Sequence, residues 1–399
     1  MSPTVESIRR DLAQAARQLA KAPAFTLIAV FSLALGIGAN TAIFSMISAL
    51  ILKPLPVERP QELVTVGDPT MIGAMSSGTV RTDIFSYPLY RELRAQNRTL
   101  SGLLASGRSG RIELYLPGSD TPVEQVRLRV VSGNYFEVLG VPAFRGRTLT
   151  PDDEKAAGSA PYVVVGHDFW RDKLNGDPKA LGTSLTINGT PFSIVGVTPP
   201  GFTGEVVGQR NDLFVPISMQ AAIHRGRPNL DLWEASWLQL IGRVAPGKAA
   251  REVRAEFNGI ASRVFEAERG HGISEDNVND RPEPIEVAAG ATGLSRARSR
   301  FSRSLFTLFA IVGLVLLVAC ANVANLLLER ATGRRKEIGL RLALGAGRGR
   351  LVRQLLTESL LLCFLGAGLG LFVSWAAGVG LLRLVGGSLD FRPDGLVLA

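Results

Sequence analysis

The sequence predicts an α-helical membrane protein with an inserted α+β domain, and three observations support this fold class. Three runs without a charged residue, 22–52, 304–328 and 359–382, are 31, 25 and 24 residues long, whereas about 20 apolar residues suffice to cross a bilayer. About 240 residues of ordinary globular composition separate the first run from the second. A short, strongly basic segment separates the second run from the third.

A polar lead segment, residues 1–22, precedes the first apolar run. Leu12, Ala15, Ala16 and Leu19 would share one face of a helix in this segment, whereas its other positions carry the charges. We therefore expect an amphipathic helix that lies along the membrane surface. Pro23 suits the first turn of the helix that follows.

The first apolar run is predicted to be a transmembrane helix and not a secretory signal peptide. A signal peptide has an apolar core of about 7–15 residues before its cleavage site, and this run is far longer and is followed by two others. Gly36, Gly38, Asn40 and Thr41 lie in its middle. Such residues allow close helix contact within a membrane, so we expect them to pack and not to conduct.

Residues 53–294 have the patterns of a mixed α+β domain, which we expect to form two subdomains. Strand-like runs occur at 62–66, 111–116, 125–131, 162–165, 184–187 and 192–197, and helical patterns occur at 86–96, 167–174 and 249–268. The Asn188-Gly189 pair between the last two strand-like runs is a hairpin signal.

No pattern in the chain indicates catalysis, a cofactor or a metal site. Walker A, GxSxG and HExxH motifs are absent, and the nearest phosphate-loop candidate, residues 176–184, lacks the Gly-Lys-Ser/Thr ending. Both cysteines, Cys320 and Cys363, lie in apolar runs. The three histidines are scattered, which favours isolated surface or loop positions. We therefore expect no enzyme activity, no cofactor and no metal.

The segment between the second and third apolar runs carries eight basic residues and one acid, Glu337, between Arg330 and Arg353. Its net charge of +7 accounts for most of the formal charge of +9 on the whole chain. Charge concentrated beside membrane helices argues against a nucleic-acid-binding face and in favour of a cytoplasmic loop. Residues 53–303 are then outside, although four arginines before the second run argue weakly for the opposite orientation.

The middle of this basic hinge, Lys336 to Ala346, has the pattern of a short amphipathic helix. Ile338, Leu340, Leu342 and Leu344 lie among charges, and glycines at 345 and 347 would end the helix. An amphipathic helix beside a membrane needs a partner for its apolar face, which is either a protein or lipid.

The most specific resemblance lies in residues 321–362, which read ANVANLLLERATGRRKEIGLRLALGAGRGRLVRQLLTESLLL. This run resembles the second span, coupling helix and third span of MacB/FtsX-type ABC transporter permeases. Residues 132–147 (SGNYFEVLGVPAFRGR) and 187–202 (INGTPFSIVGVTPPGF) are similar to signatures of the MacB-like periplasmic core domain. LGIGANTAIFS at 35–45 resembles the duplicated orphan permeases of that family.

The resemblance implies a MacB-like (type VII) ABC permease fold in the bacterial inner (cytoplasmic) membrane. It also implies a separate ATPase subunit as partner, a second permease unit that completes a homodimer or pseudo-dimer, lipid, and a periplasmic partner in some members. Such permeases export or extract substrates, or activate a periplasmic protein. Residues carried over to ATPase coupling are Arg335, Lys336, Glu337, Ile338, Gly339, Arg341, Leu344 and Gly345.

The expected organisation follows from these patterns and the resemblance. It comprises a cytoplasmic lead helix (1–22), membrane helices at 23–52, 304–328 and 359–382, the outer domain (53–294), the cytoplasmic hinge (329–358) and an outer loop (383–399). A complete unit of the family has a fourth span, so we expect this chain to be part of a longer permease. The alternative function is a membrane-anchored sensor or binding module, in which the hinge is only a topogenic basic loop.

Overall fold

The computed structural model describes residues 3–48, 53–77, 80–224, 228–268, 283–333 and 348–385. The chain forms two compact units. The helical unit comprises residues 1–51 and 300–399, and the globular unit comprises residues 52–299. The helices are α1 (Pro3–Ala20), α2 (Pro23–Ile47), α3 (Tyr87–Gln96), α4 (Tyr135–Leu139), α5 (His167–Lys173), α6 (Gln220–Ile223), α7 (Ala250–Ala267), α8 (Arg296–Gly333) and α9 (Arg348–Val385).

The globular unit is built on one mixed sheet, in the order β12-β1-β11-β3-β5-β10-β7-β9-β8-β4. Its strands are β1 (Leu63–Val66), β2 (Phe85–Ser86), β3 (Leu100–Arg108), β4 (Leu114–Tyr115), β5 (Leu128–Val131), β6 (Arg145–Gly146), β7 (Tyr162–Val165), β8 (Ser184–Ile187), β9 (Thr190–Val197), β10 (Leu213–Pro216), β11 (Ser236–Val244) and β12 (Val287–Ala289). β5–β10 and β7–β9 pair in parallel and the other neighbours are antiparallel. β2 and β6 attach to β11 and β9.

Two apolar cores lie on opposite sides of the sheet's central strands. Successive residues of β11 show this division, because Leu240 belongs to the core that includes α3 and α7, whereas Ile241 belongs to the core that includes α4. Side chains alternate across a strand, so a strand buried on both sides is apolar without interruption.

The expected division of this region into two subdomains is wrong, since the hydrogen-bonded sheet continues through the whole globular unit.

The hairpin predicted at Asn188-Gly189 is confirmed. Ile187 pairs with Thr190 across a two-residue loop, and both loop residues have positive φ, 50° for Asn188 and 84° for Gly189. Asparagine and glycine tolerate that left-handed backbone, and the twist of such a turn matches the twist of the two strands.

Several other expectations need correction. The strand-like run at 111–116 contains only the two-residue β4, and the run at 125–131 becomes a strand only at Leu128. Gln125 has a φ of 59°, which is incompatible with extended backbone at the start of that run. β3, β10 and β11 had no counterpart among the predicted strands. β3 contains two glycines and β11 contains a glutamine and an arginine, so neither has a simple alternating pattern.

Candidate functional site: the apolar helices and the ends of the globular unit

The eight residues predicted to couple to an ATPase lie outside the described residues, as do the rest of 334–347. The two helices that flank this hinge are described: α8 ends at Gly333 and α9 begins at Arg348. The described part of the candidate site comprises these helices and the two ends of the globular unit.

α2 and α9 pack with their backbones close together. A Cβ atom built on Gly38 would lie 2.8 Å from the carbonyl oxygen of Gly370, and one built on Gly370 would lie 2.8 Å from the carbonyl oxygen of Ala34. One turn away, a Cβ on Gly366 would lie 2.7 Å from the Cβ of Leu33. The Gly366-x-x-x-Gly370 spacing therefore serves helix packing, as small-residue motifs do in membranes.

The other helices of the helical unit join this pair through a small apolar cluster of Leu19, Ala29, Leu33, Val323 and Leu362. Two of the residues predicted to form the apolar face of α1, Ala15 and Leu19, are buried, whereas Leu12 is exposed. The Thr26 hydroxyl donates to the carbonyl oxygens of Leu19 and Ala22, at 2.9 and 3.0 Å. This hydroxyl thereby bridges the end of α1 and the start of α2.

Three helices are long and apolar enough to cross a membrane, with spans at Pro23–Ser45, Ser304–Glu329 and Leu356–Ala376. The middle span exposes many of its large apolar side chains: Phe306, Leu314, Leu317, Val318 and Leu328 are each more than half exposed. A water-soluble protein rarely exposes so continuous an apolar surface. Such a surface is what a lipid-facing helix requires.

Arg243 on β11 holds the chain where it enters the globular unit. Its guanidinium donates to the carbonyl oxygens of Glu58, Arg59 and Val138, at 2.7, 3.2 and 2.9 Å, and pairs with the Glu62 carboxylate at 2.9 Å. A planar guanidinium can satisfy several acceptors at once because its donors are fixed in a fork. The segment that follows α2 in sequence is therefore attached to a central strand.

Glu205 holds the chain where it leaves the globular unit. The carbonyl oxygen of Glu205 accepts from the amide of Leu294 at 2.8 Å, two residues before α8 begins. The entry and exit are also joined to each other, because the amide of Leu55 donates to the carbonyl oxygen of Ala291 at 2.9 Å. The chain segments at the two ends of the globular unit are therefore hydrogen-bonded to each other, and the exit segment is also hydrogen-bonded to Glu205.

The side chain of Glu205 forms a buried ion pair in the centre of the sheet. Its carboxylate lies 2.6 Å from Nε of Arg129, and the exposed fractions of the two side chains are 0% and 2%. Ser106 and Tyr135 also donate to this carboxylate, and Arg129 donates to Gln239 at 3.0 Å. Every member of the network has a partner, which is the condition under which buried charges are tolerated.

Burial by itself would raise the pKa of Glu205, but the charge of Arg129 and the hydroxyls of Ser106 and Tyr135 outweigh it. The pKa of the Glu205 carboxyl therefore lies below its ordinary value, and the group is ionised. Burial and the neighbouring Glu205 charge raise the pKa of the Tyr135 phenol well above its ordinary value, so this hydroxyl remains a donor.

No group of three or more histidine, cysteine or acidic side chains among the described residues could hold a metal ion. The expectation of isolated surface or loop histidines is wrong for His167, which is 15% exposed and begins α5, whereas His224 lies in the turn after α6. His167 packs edge-on against Phe144 and Trp170, with ring centroids 5.1 and 5.7 Å away, and His224 packs edge-on against Trp237 at 5.3 Å. His271 lies outside the described residues.

Sequence reasoning did not identify Arg129, Glu205 or Arg243 as important. Single charged residues in or beside apolar strands are the only signal, and that signal does not reveal the partner. Glu205 and Arg129 are 76 positions apart in the sequence. Only the fold brings them together.

Comparison with known proteins gives two family matches. Residues 26–260 match the model of the MacB-like periplasmic core domain, and residues 309–389 match that of the FtsX-like permease C-terminal region. The chain is 26% identical over 321 residues to the "Probable export ATP-binding/permease protein MacB" of Pseudomonas entomophila, covering 77% of this chain and 44% of that protein. It is 27% identical over 271 residues to the "Uncharacterized ABC transporter permease YvrN" of Bacillus subtilis, covering 66% of this chain and 60% of that one.

Among solved structures, the periplasmic region of MacB from Actinobacillus actinomycetemcomitans is similar to this chain, with 13% identity and a TM-score of 0.41, covering 62% of this chain and 93% of that one. The chain spans less than half of the length of the Pseudomonas relative. The family resemblance in the sequence is nevertheless confirmed, because the periplasmic core model alone matches more than half of the chain. The chain therefore belongs to the MacB/FtsX-type family of ABC transporter permeases.

Proposed function

We propose that this chain is the membrane subunit of a MacB/FtsX-type ABC transporter and that it transmits ATP-driven motion from a separate ATPase to its outer domain. The transported or extracted substrate would be handled on the outer side of the membrane. The observation that carries this proposal is the close packing of α2 and α9, in which Gly38 and Gly370 bring the two backbones together.

This packing supports transmission because of where the two helices lead. α9 begins directly after the hinge at 334–347, and α2 ends at Ile47, a few residues before the globular unit begins at residue 52. Two helices in contact at backbone distance cannot slide independently without steric overlap. A displacement of the hinge would therefore reach the start of the globular unit through α2.

The anchors within the globular unit support the second half of this path. Arg243 attaches residues 58–62 to β11. The backbone carbonyl of Glu205 binds the amide of Leu294, and the side chain of the same residue pairs with Arg129 on β5. Force applied to the ends of this unit would then act on its central strands. A loosely attached domain would absorb the same displacement in its linkers.

The orientation in this proposal follows from charge. The basic hinge and the lead helix (1–22) would face the cytoplasm, and residues 53–294 would lie outside it, with membrane helices at 23–52, 304–328 and 359–382 and an outer loop at 383–399. The location would be the bacterial inner membrane, and a second permease unit would pair with this one.

The coupling surface in this proposal is the hinge helix, at Arg335, Lys336, Glu337, Ile338, Gly339, Arg341, Leu344 and Gly345. An amphipathic helix presents apolar anchors to a groove and charges to its rim, and the apolar anchors carry most of the binding energy. Ile338 is the anchor that we assign to the ATPase groove.

A test of this assignment is the substitution Ile338→Asp in the full chain. We expect it to weaken capture of the ABC ATPase that co-purifies with the permease by about 2 kcal/mol or more, because a charge replaces a buried anchor. Stimulation of ATP hydrolysis in vesicles should fall in parallel. Arg348→Gln is the matched control and should have a much smaller effect, since charges at the rim mainly change the association rate.

Contact with lipid would give a different ranking of the same variants. Binding to an anionic membrane falls by about 1 kcal/mol for each basic residue removed and is screened by salt. If Ile338→Asp retains capture and stimulation while removal of several arginines abolishes both, the hinge acts electrostatically and the proposed coupling is refuted.

A further inference from the structure

The helix α1 rests on the start of α9 through one edge of its apolar face. Ala15 and Leu19 lie four residues apart, on one side of α1, and are 0% and 4% exposed. Leu19 belongs to an apolar cluster with Leu362 of α9, and α1 contacts α9 more extensively than it contacts α2. The function proposed above assigns no role to this contact.

The rest of the apolar face of α1 does not take part in this contact. Leu12 is 42% exposed, and Ala16 is exposed as well. With 3.6 residues per turn, Leu12 and Ala16 form a stripe that lies about 60° around the helix from Ala15 and Leu19. The face expected from the sequence is therefore divided into a stripe that packs on protein and a neighbouring stripe that is open.

α2 and α9 run in the same direction. Leu33 lies against Gly366, and Gly38, which is further along α2, lies against Gly370, which is further along α9. Both helices advance by the same rise per residue, so this register extends towards their starts. It places the first turn of α2 level with Glu358 of α9.

Glu358 marks the corner at which α1, α2 and α9 meet. This charged residue is 3% exposed, and Leu362, one turn later on the same face of α9, is 1% exposed. At the same level, the Thr26 hydroxyl ties the end of α1 to the start of α2 through the carbonyl oxygens of Leu19 and Ala22. α1 and α2 are therefore fixed to each other where α9 is buried.

The part of α9 between the hinge and this corner forms an arm. α9 begins at Arg348, and Glu358 is ten positions later, which is about 15 Å along the helix. Arg353 and Leu356 on this arm are exposed. A displaced hinge would act on the free end of the arm, so the support nearest the hinge determines whether the rest of α9 turns with it.

We propose that α1 braces this arm. Docking of Ala15 and Leu19 on α9 makes α1, α2 and the start of α9 turn as one body when the ATPase moves the hinge. This inference rests on the function proposed above and assigns Ala15 and Leu19 as positioning residues. Capture of the ATPase belongs to the hinge, whereas transmission of its motion also requires α1.

The substitution Leu19→Cys reports docking directly. In a full chain that lacks the native thiols (Cys320→Ala and Cys363→Ala), this cysteine should react slowly with a maleimide, because the position is 4% exposed. Adding Ala15→Arg should raise the reaction rate roughly tenfold, since a long side chain overfills a contact with no free space. Ala16→Arg adds the same charge at the next, exposed position and should not change the rate.

The same substitutions, made in the chain with its native thiols, test transmission in vesicles that contain the co-purifying ABC ATPase. Ala15→Arg should retain capture of the ATPase and lose most of the stimulation of ATP hydrolysis, whereas Ala16→Arg should retain both. Ala15→Ser should also retain both, because a side chain of similar size preserves the contact. Leu19→Ala removes apolar contact without overfilling it, and it should lower stimulation while capture persists. It decides the outcome if Ala15→Arg does not elute as a monodisperse species in detergent.

Three results would overturn the brace. They are equal maleimide rates with Ala15→Arg and Ala16→Arg, full stimulation by an undocked Ala15→Arg variant, and loss of ATPase capture in a monodisperse Leu19→Ala variant. The last result would place α1 in the ATPase contact itself. If the unsubstituted chain fails to stimulate the ATPase, the function proposed above is refuted and the brace with it, although the maleimide rates still show whether α1 docks.

Discussion

At the residue scale, Arg129 and Glu205 form an ion pair that is buried inside the globular unit. The two groups are buried at 2% and 0% exposure and lie 2.6 Å apart. A buried ion pair contributes little net stability, because desolvation offsets the attraction between the charges. Removal of only one of the two partners is costly, however, since the remaining charge stays buried without its partner. The pair therefore makes the unit sensitive to any change that neutralises one side.

We predict that Arg129→Met lowers the free energy of unfolding of the globular unit by about 3–5 kcal/mol, because Glu205 is left buried without a cation. Urea unfolding followed by tryptophan fluorescence would measure this loss. In a Trp375→Phe background, the three remaining tryptophans, Trp170, Trp233 and Trp237, all report on the globular unit.

The control for this prediction is Arg254→Met. Arg254 pairs with Glu286 at 2.7 Å, but both side chains are about half exposed or more. Its loss should cost at most about 1 kcal/mol. Equal losses of unfolding free energy in the two variants would show that burial of the Arg129–Glu205 pair does not increase the cost of losing its cation.

The same pair predicts a dependence on pH. The folded state lowers the pKa of Glu205 below its ordinary value of 4.5, so the folded protein binds fewer protons there than the unfolded chain does. This contribution is fully present above about pH 4.5 and is lost as the pH falls through the lower, folded value. The acid-induced loss of stability should be smaller in Arg129→Met, which lacks the main cause of the lowered pKa.

At the element scale, α2 and α9 depend on glycine for their contact. The backbone of one helix occupies the space where a side chain of the other would begin. Glycine in a helix costs about 1 kcal/mol relative to alanine, so its presence at positions 38, 366 and 370 requires a compensating gain. Close packing over three positions supplies that gain.

We predict that Gly370→Ala separates the two helices, because its Cβ would lie 2.8 Å from the carbonyl oxygen of Ala34. Backbone cannot move as readily as a flexible side chain, and overpacking of this kind costs about 1–3 kcal/mol. The thermal stability of the full chain in detergent should fall, and so should its stimulation of ATP hydrolysis.

Gly368→Ala is the matched control on the same helix. No atom lies within 4 Å of a Cβ at this position. The substitution should be neutral or slightly stabilising, since alanine is the better helix former. If both variants behave alike, helix propensity and not the α2–α9 contact determines the effect.

At the scale of the whole molecule, a basic hinge and a globular unit of about 250 residues lie on either side of α8 in the chain. We propose that they are on opposite sides of the membrane. The rule that short basic loops remain in the cytoplasm is the physical reason, because long outer segments are less affected by their own charges.

We predict that a cysteine at Asn188 reacts with a membrane-impermeant thiol reagent in whole cells and that a cysteine at Gly333 does not. The background would lack the native thiols, through Cys320→Ala and Cys363→Ala. Permeabilised cells should label at both positions, which controls for reactivity. Labelling at 333 alone in intact cells would reverse the proposed topology.

The sequence was sufficient for features that depend on contiguous residues. Apolar length predicts the three helices that can cross a membrane, and turn chemistry predicts the Asn188-Gly189 hairpin. The runs around the hinge and in the outer domain carry the family resemblance, which the FtsX-like and MacB-like family models confirm respectively. The small residues in the middle of α2 also predict helix packing, which the contact at Gly38 shows. Each of these signals lies within a few turns or strands of chain.

Tertiary structure decided what depends on distant residues. β3 and β11 are strands because they are covered on both sides within a sheet, although their glycines and polar residues disfavour that state locally. The partner of Arg129 and the choice of α9 as the helix that packs on α2 also required the fold. Charge, shape and burial at these sites are properties of neighbours in space, and the order of residues along the chain does not specify those neighbours.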